Sequence, residues 1–259
     1  MVNSTKEMKV AIHDLTWPEV DKMRDQVKTV IIPVGSTEQH GPNLCISTDA
    51  TRAYKFSLRV AKALYPHVLV APCIHVGISG HHMDFPGTIT LRPETMISTI
   101  TDYVSSLMKH GFKKFFIINA HGGNEGTLQV AVENIRTDFG IRIPFVNYKV
   151  LCQDVTAEIV GTKRVDHSGE FEVSDAMFLA PEIVREDAIC KGDDGNFPLV
   201  YTDIYGKYRI NYPLNWKQVA PSGAMGEAHK ATPEKGKQLN DAALKRAVEF
   251  LEQFMEDED

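Results

Sequence analysis

The 259-residue sequence lacks the features that mark nucleic-acid-binding and membrane proteins. Its formal net charge is -6, and no concentrated run of Lys and Arg offers a basic surface to a phosphate backbone. No stretch approaches the ~18 consecutive apolar residues of a membrane span. The opening segment MVNSTKEMKV also lacks the apolar region of a secretory signal. We therefore expect a cytoplasmic protein that binds neither nucleic acid nor membranes.

Cysteine is scarce, and the common nucleotide-binding motifs are missing. The four cysteines are far apart and form no CxxC pair, which is typical of reduced thiols in the cytoplasm. The sequence contains no GxGxxG and no Walker motif. These absences argue against a disulfide scaffold and against a dinucleotide or P-loop site.

What the sequence does contain is a regular alternation of apolar runs and amphipathic stretches. Hydrophobic residues make up 43% of the chain and charged residues 24%, an ordinary globular balance. The pattern predicts strands at 28–35, 67–77, 112–120 and 142–150, and helices at 51–65, 92–111, 125–140 and 232–255. This alternation predicts an α/β fold with a mainly parallel sheet, in a single domain over residues 1–259. The irregular region 191–222 is expected to cross the sheet edge or to form a subunit contact.

Polar clusters follow two of these predicted strands, where α/β sheets bind their ligands. Glu38 and His40 come after the first strand and are two residues apart, so an extended chain places both side chains on one face. A carboxylate beside an imidazole can bind Zn²⁺, Mn²⁺ or Fe²⁺. Asp49 can return to the same place, and its two oxygens can bridge two ions. His121 lies at the end of the strand at 112–120.

A third cluster, VDHSGEFE at 165–172, could complete this set through Glu170 or His167. Each cluster alone has an ordinary explanation. The segment around Glu38 could be a charged surface turn, that around His121 a glycine-rich turn with a capping histidine, and Asp49 a helix N-cap. All three at strand ends of one sheet predict a metal site.

The sequence resembles the creatininase, or creatinine amidohydrolase, family. The resemblance rests on five blocks in order: PVGSTEQHGPNLCISTDA, GHHMDFPGTITL, NAHGGN, DHSGEFEVS and PSGAMGEAHKATPEKG. It implies a three-layer α/β/α sandwich with a mainly parallel sheet and a homo-oligomer, often a hexamer. It also implies a dinuclear metal site that hydrolyses small cyclic amides or related bonds.

The resemblance also implies a ligand set for two divalent ions. One ion is expected on Glu38, Asp49 and His121, and the second on His40 and Asp49, with Asp49 bridging. The resemblance does not choose among Zn, Mn and Fe, because mixed histidine and carboxylate sites accept all three.

One further ligand of the second ion is expected from a different loop than in creatininase. Creatininase has a glutamate two residues after the histidine of this block, whereas this chain has Gly123. Family members with HGGN carry a glutamate in the block that here reads HSGE. Glu170 is therefore the expected replacement ligand, and Glu172 is expected to support the ligands from behind.

The resemblance assigns catalytic roles to two adjacent residues. His167 matches the family's catalytic histidine and is expected to pass a proton to the leaving group, because histidine titrates near neutral pH. Asp166 stands where creatininase has a glutamate and is expected to orient His167 or the attacking water. His81 and His82 are expected on a loop at the site mouth, which a neighbouring subunit could share, and not as metal ligands.

The substrate is expected to differ from creatinine. Creatininase closes over its ring substrate with two tryptophans, and the corresponding positions here are Lys149 and Lys163. Of the two tryptophans present, Trp17 is expected in packing, and Trp216 is a candidate lid.

Three functions remain open from the sequence. The favoured function is metal-dependent hydrolysis of a cyclic amide or another small C–N substrate. The alternative is C–C ring opening of a cyclic ketone derived from inositol, because a site without the two tryptophans would suit a polyol ring. A non-catalytic metal-binding or nucleotide-binding protein is the third interpretation, and the number of potential ligands together with an additional histidine argues against it.

Overall fold

The computed structural model describes residues 8–162, 167–204 and 206–258. Within these ranges the chain forms a four-stranded sheet in the order β2-β1-β3-β4, with every neighbouring pair parallel. The strands are β1 (Thr29–Val34), β2 (Val68–Val70), β3 (Phe115–Asn119) and β4 (Phe145–Asn147). The carboxyl ends of β1 and β3 lie side by side, with Val34 paired to Asn119.

Helices connect and cover these strands. They are α1 (Trp17–Met23), α2 (Thr48–Ala63), α3 (Pro93–Lys109), α4 (Glu125–Phe139), α5 (Gln153–Ile159), α6 (Glu170–Leu179), α7 (Trp216–Val219) and α8 (Pro233–Glu256). Their ends follow the sequence signals. Pro93 occupies the first turn of α3, Gly140 ends α4 with a left-handed φ of 71°, and the Thr232 side chain accepts the Lys235 N–H at the start of α8.

The sheet is buried on both faces because neighbouring side chains of a strand point in opposite directions. On one face, Ile31 and Phe116 pack with the apolar sides of α2 and α8. On the other face, Ile32 and Ile117 pack with α3 and α4. The three-layer α/β/α sandwich with a parallel sheet, expected from the sequence, is confirmed.

Two predicted strands are shorter than expected, and four helices, α1, α5, α6 and α7, were not predicted. Only residues 68–70 of the stretch 67–77 and 145–147 of the stretch 142–150 pair in the sheet. Helix α6 shows no amphipathic stripe, because its first seven residues are all buried, and its sequence pattern therefore does not predict a helix. None of the helices in the described ranges is both long and apolar enough to cross a bilayer.

Candidate metal centre and active site

The potential ligands converge at the carboxyl edge of the sheet. Glu38 and His40 lie on the loop that follows β1, and His121 directly follows β3, the strand beside it. Asp49 is the second residue of α2, which the same loop enters. All four side chains are buried. The structure thus brings together four of the five residues that the sequence analysis expected as metal ligands.

Asp49 lies between the two histidines of this group. Its Oδ1 is 3.4 Å from His40 Nε2, and its Oδ2 is 3.3 Å from His121 Nδ1. Glu38 Oε2 lies 3.3 Å from His121 Nε2. Neither His40 Nε2 nor Asp49 Oδ2 forms a hydrogen bond with any described residue, although both atoms are buried. Buried polar atoms rarely remain unpaired in proteins, so these two point to a bound group.

The fifth expected ligand, Glu170, does not reach this group, so the expectation that it binds the second ion is wrong. Its carboxylate bonds to Lys235 and Thr162. Glu172 faces the group in its place, with Oε2 3.7 Å from His40 Nε2. The cause is that α6 begins at Glu170. In an α-helix, side chains two residues apart point in directions that differ by about 200°, so Glu170 and Glu172 face opposite sides. The sequence signal that was missed is the short polar segment before an apolar run, which is typical of a helix N-terminus.

A buried arginine that the sequence analysis did not single out holds Glu172 in place. Arg52 donates from Nη1 to Glu172 Oε1 over 3.0 Å and from Nε to Asp175 Oδ2 over 2.6 Å. Its guanidinium also lies over the Tyr148 ring, 5.4 Å from the centroid. The sequence signal that could have identified Arg52 is its spacing. It follows Asp49 by three residues on α2, and residues three apart share one face of a helix. A fully buried arginine persists only where carboxylates pair with it.

The catalytic candidate His167 lies on the opposite side of Glu38. Its Nδ1 is 3.8 Å from Glu38 Oε1, and its Nε2 is 2.9 Å from the main-chain oxygen of Gln39. Its ring centroid is 4.5 Å from that of His40. Burial, reinforced by the charge of His40, lowers the pKa of His167 to about 4, so the ring is neutral at pH 7. Asp166 and Lys163 lie outside the described residues.

His81 and His82 belong to the site formed by their own chain. His82 is buried, and its Nε2 lies 3.6 Å from Glu38 Oε1. His81 stacks on His121 with the ring planes 7° apart. The expected position at the site mouth agrees with His81, which is half-buried, but not with His82, which is an internal residue.

The two tryptophans have opposite environments. Trp216 is buried, and its ring lies 4.9 Å from the His167 ring and 5.1 Å from the His82 ring. Its Nε1 donates to the main-chain oxygen of Gly223 over 2.9 Å. Trp17, expected in packing, is instead 80% exposed at the start of α1.

The electrostatics of the cluster favour positive charge. Burial opposes ionisation of Glu38, Asp49 and Glu172, but the neighbouring histidines and Arg52 outweigh it and lower the pKa of all three carboxyls. Burial likewise opposes charge on His40, yet the Asp49 carboxylate raises the pKa of His40 to about 9. The pKa of His121 is raised in the same way, chiefly by Glu38. A metal cation would satisfy this demand by displacing the histidine protons.

Among the described residues, three overlapping groups have ligand atoms close enough to share an ion. In each group the atoms lie within 4.8 Å of one another; the groups are Glu38, His40 and His167; Glu38, His81 and His121; and His40, Asp49 and Glu172. The overlap means that this edge of the sheet could hold more than one ion.

Gly123 occupies a place where no side chain fits. A Cβ at this position would lie 2.4 Å from His121 Nε2 and 2.4 Å from the main-chain oxygen of Ile78. A carboxylate therefore cannot enter the cluster from this position with the present backbone. Glu172 supplies a carboxylate from the opposite side, where Arg52 holds it.

A cavity of about 1010 Å³ opens above the cluster. Its base contains three carboxylates and four histidines of the site, which are Glu38, Asp49, Glu172, His81, His82, His121 and His167. Its wall includes Lys149 and the segment 209–214 from the irregular region, which the sequence analysis expected to cross the sheet edge. This segment brings Arg209 and Tyr212 to the cavity. Cationic and aromatic groups therefore stand above the carboxylates on the cavity floor.

A parallel α/β sandwich with buried histidines and carboxylates at the carboxyl edge of its sheet defines a metal-dependent hydrolase. Comparison with known proteins gives the family. The family model described as creatinine amidohydrolase matches residues 13–251, and the chain belongs to the creatininase family. It is therefore an enzyme of the metal-dependent hydrolase class.

Curated relatives within this family have different substrates in their names. The chain is 29% identical to a mycofactocin precursor peptide peptidase of Mycobacterium ulcerans, with 86% of this chain and 80% of the relative covered. It is 25% identical to the creatinine amidohydrolase of Pseudomonas putida, over 93% and 96% of the two chains. It is 27% identical to the 3-dehydro-scyllo-inosose hydrolase of Thermotoga maritima, over 96% and 83%.

Solved structures share the fold. A creatinine amidohydrolase homologue from Bacteroides fragilis superposes with a TM-score of 0.86 at 21% identity, over 96% of this chain and 98% of its own. A manganese form of creatininase superposes with a TM-score of 0.79 at 24% identity, over 95% and 99% of the two chains.

Proposed function

We propose that this protein is a dinuclear hydrolase that cleaves the C–N bond of a small polar amide, cyclic or open, other than creatinine. The observation that carries the proposal is the position of Asp49, whose two carboxylate oxygens face a histidine on either side. A carboxylate placed in this way can bridge two ions, and mixed sites of this kind bind Zn²⁺, Mn²⁺ or Fe²⁺.

The described residues offer ligands for two metal ions. One ion would be held by Glu38, Asp49 and His121, where the two carboxylates face opposite ring nitrogens of the histidine. The other would be held by His40, Asp49 and Glu172, whose ligand atoms lie within 4.8 Å of one another. The unpaired His40 Nε2 and Asp49 Oδ2 are ligand atoms in this assignment. Glu172 also accepts from Arg52 and from the Ser168 N–H at 2.7 Å, as carboxylate ligands commonly do. Such ions supply an activated water and polarise the substrate carbonyl.

The chain's own residues would manage the protons. His167 is neutral at pH 7, and its Nδ1 faces Glu38 across a gap of 3.8 Å. It is therefore placed to take a proton at Nδ1 and to return it to the leaving nitrogen. Trp216 covers His167 and excludes bulk water from that side. Asp166 remains the proposed residue for orienting His167.

The cavity supports a polar substrate with a negative group away from the scissile bond. Ligand pockets typically measure roughly 300–1,000 Å³, so a cavity of about 1010 Å³ exceeds what a single small ring needs. Lys149 and Arg209 line its wall, and either cation could bind a carboxylate of the substrate.

The second candidate is hydrolysis of a C–C bond in a cyclic ketone. The relative named 3-dehydro-scyllo-inosose hydrolase, which matches 96% of this chain, favours it. The products separate the two reactions, because amide cleavage releases a titratable amine and ketone cleavage releases only an acid. A panel of cyclic amides, short peptides and inositol ketones, analysed by mass spectrometry and amine detection, tests both. Acid without amine would reject the amide proposal.

Metal content is the direct test of the dinuclear site. We expect about two ions per chain by elemental mass spectrometry on protein purified without a chelator or a His-tag. Glu172→Gln should lose about one ion per chain, because the second ion loses a charged ligand. Glu170→Gln is the matched control and should keep both, since its carboxylate bonds to Lys235. If Glu170→Gln loses an ion and Glu172→Gln does not, the ligand assignment is wrong.

A further inference from the structure

We propose that Gln39 is a positioning residue that fixes the hydrogen positions on two imidazole rings, that of His82 through its side-chain amide and that of His167 through its main-chain oxygen. The inference deepens the proposed hydrolase function, on which it rests. Gln39 lies between Glu38 and His40 in sequence, but its side chain points away from the carboxylate cluster and into the ring cluster. It is buried, so its hydrogen bonds are made inside the protein.

The orientation of the Gln39 amide follows from one contact. Its Oε1 accepts the main-chain N–H of Gly41 over 2.8 Å. The Nε2 group therefore points to the other side, where three polar atoms surround it. These are Gly223 O at 3.1 Å, His82 Nδ1 at 2.8 Å and His167 Nε2 at 3.0 Å.

Two amide hydrogens cannot serve three acceptors, so one of these atoms is not an acceptor. His167 Nε2 lies 2.9 Å from the main-chain oxygen of Gln39, which has no hydrogen to give. This ring nitrogen must therefore carry the hydrogen and donate it to that oxygen. The amide hydrogens then go to Gly223 O and to His82 Nδ1, and His82 carries its own hydrogen on Nε2.

These hydrogen positions decide what each ring presents to the Glu38 carboxylate. His82 directs its Nε2 hydrogen toward Glu38 Oε1 at 3.6 Å, while His167 turns the unprotonated Nδ1 toward the same oxygen at 3.8 Å. One glutamine thus makes His82 a donor and leaves His167 a base on opposite sides of one carboxylate oxygen. Donors behind a ligating carboxylate orient it and tune its basicity.

The same amide connects the histidines to the cavity wall. The main-chain oxygen of Gly223 accepts from Gln39 Nε2 and also from Trp216 Nε1. Gly223 has a φ of 88°, and a Cβ there would lie 2.0 Å from Gln39 Oε1, so only glycine allows this arrangement. The Gln39 side chain therefore links the position of Trp216 to the hydrogen position on the His82 ring.

The test is ¹⁵N NMR of histidine-labelled, zinc-loaded protein, which distinguishes protonated from unprotonated ring nitrogens. His82→Asn identifies the His82 signals by their loss. In the wild-type protein we expect His82 Nδ1 unprotonated and His167 Nε2 protonated. A wild-type spectrum with His82 protonated on Nδ1 overturns the proposal, whatever the variants do.

Gln39→Glu replaces the donor with an acceptor of the same shape. We expect His82 Nδ1 to become protonated and the affinity for Zn²⁺, measured against a chelating dye, to fall about tenfold. Gln253→Glu, the same exchange at an exposed position of α8, should change neither. If Gln39→Glu does not fold, Gln39→Met, which lacks the donor, should give His82 in both tautomers. Unchanged His82 signals in a folded Gln39 variant would refute the inference. Loss of the dinuclear proposal would appear separately, as one zinc ion or none in the wild-type protein.

Discussion

His167 is held from several directions. Gln39 O fixes one ring nitrogen, the His40 ring lies 4.5 Å away, and Trp216 closes another side. A ring restrained in this way keeps its second nitrogen aimed at the reacting groups. This preorganisation is what a general base requires, because geometry precedes pKa in proton transfer.

His167→Ala should keep the metal content of the wild-type protein and lose turnover by roughly 10²- to 10⁴-fold, the usual contribution of a general acid–base residue. The measurement combines elemental analysis with product release from the best substrate of the amide panel. His229→Ala, at an exposed histidine, serves as the control. Retained turnover in His167→Ala would assign the proton transfer to another residue.

At the residue scale, the sequence was sufficient to predict the location of side chains that lie within a few residues of a strand end. Glu38, His40, Asp49 and His121 could be placed together because each lies on the loop after a strand, or just beyond it. Glu170 and Glu172 could not be distinguished, since the choice depends on the residue at which α6 begins. Gln39 and Arg52 were missed because their roles depend on partners that are distant in sequence, such as Gly223 and Asp175.

At the scale of elements, the closest contact around the site is between α6 and α8. Gly236 lies in the first turns of α8, and a Cβ at this position would stand 1.9 Å from the main-chain oxygen of Ser174 in α6. The two helices therefore approach to backbone contact. This contact fixes the helix that carries Glu172, so packing outside the cavity determines where a ligand points.

Gly236→Ala should destabilise the protein by about 1–3 kcal/mol, the usual cost of forcing atoms into a packed interior. Gly126→Ala is the matched control, because no atom of the described residues outside its own stretch of α4 lies within 4 Å of its Cβ position. That variant should be stabilised by about 0.5–1 kcal/mol through helix propensity. Denaturant unfolding measures both, and equal stability of the two variants would contradict the close approach.

Long amphipathic helices were predictable at this scale, whereas the buried helix α6 and the short helices α1, α5 and α7 were not. The long helices α3, α4 and α8 were predicted to within a few residues, because each has one apolar face and clear end signals. Helix α6 packs against α8 and α2 and is buried through its first turns, so its pattern carries no period. Strands β2 and β4 were overextended because an apolar run continues past the last paired residue.

On the scale of the whole molecule, apolar exposure concentrates in the irregular region near the cavity. Val200 is 74% exposed, and other large side chains there are more than 45% exposed; they are Leu199, Tyr201, Tyr208, Ile210 and Tyr212. Clustered apolar exposure of this kind marks interaction surfaces in folded proteins. We propose that this surface contacts a second copy of the chain, in the homo-oligomer that the family resemblance implies.

We therefore expect the purified protein to have a mass several times the 28.9 kDa of one chain, as measured by light scattering during gel filtration. Val200→Asp should shift the distribution toward the monomer, because association would bury a charge. Val130→Asp introduces the same charge at an exposed valine of α4 and should leave the mass unchanged. A monomeric wild-type protein, or equal masses for all three, would remove this role from the irregular region.

The order of the ligands along the chain has a consequence for biosynthesis. Glu38, Asp49 and His121 all precede Glu172, and β1 and β3, which position them, lie in the first half of the sequence. Because a chain is made from its N-terminus, the three ligands of the first ion leave the ribosome before Glu172 does. In the proposed two-ion assignment, the ligands of one ion are therefore complete before α6 is made, and those of the other only after α6 has emerged.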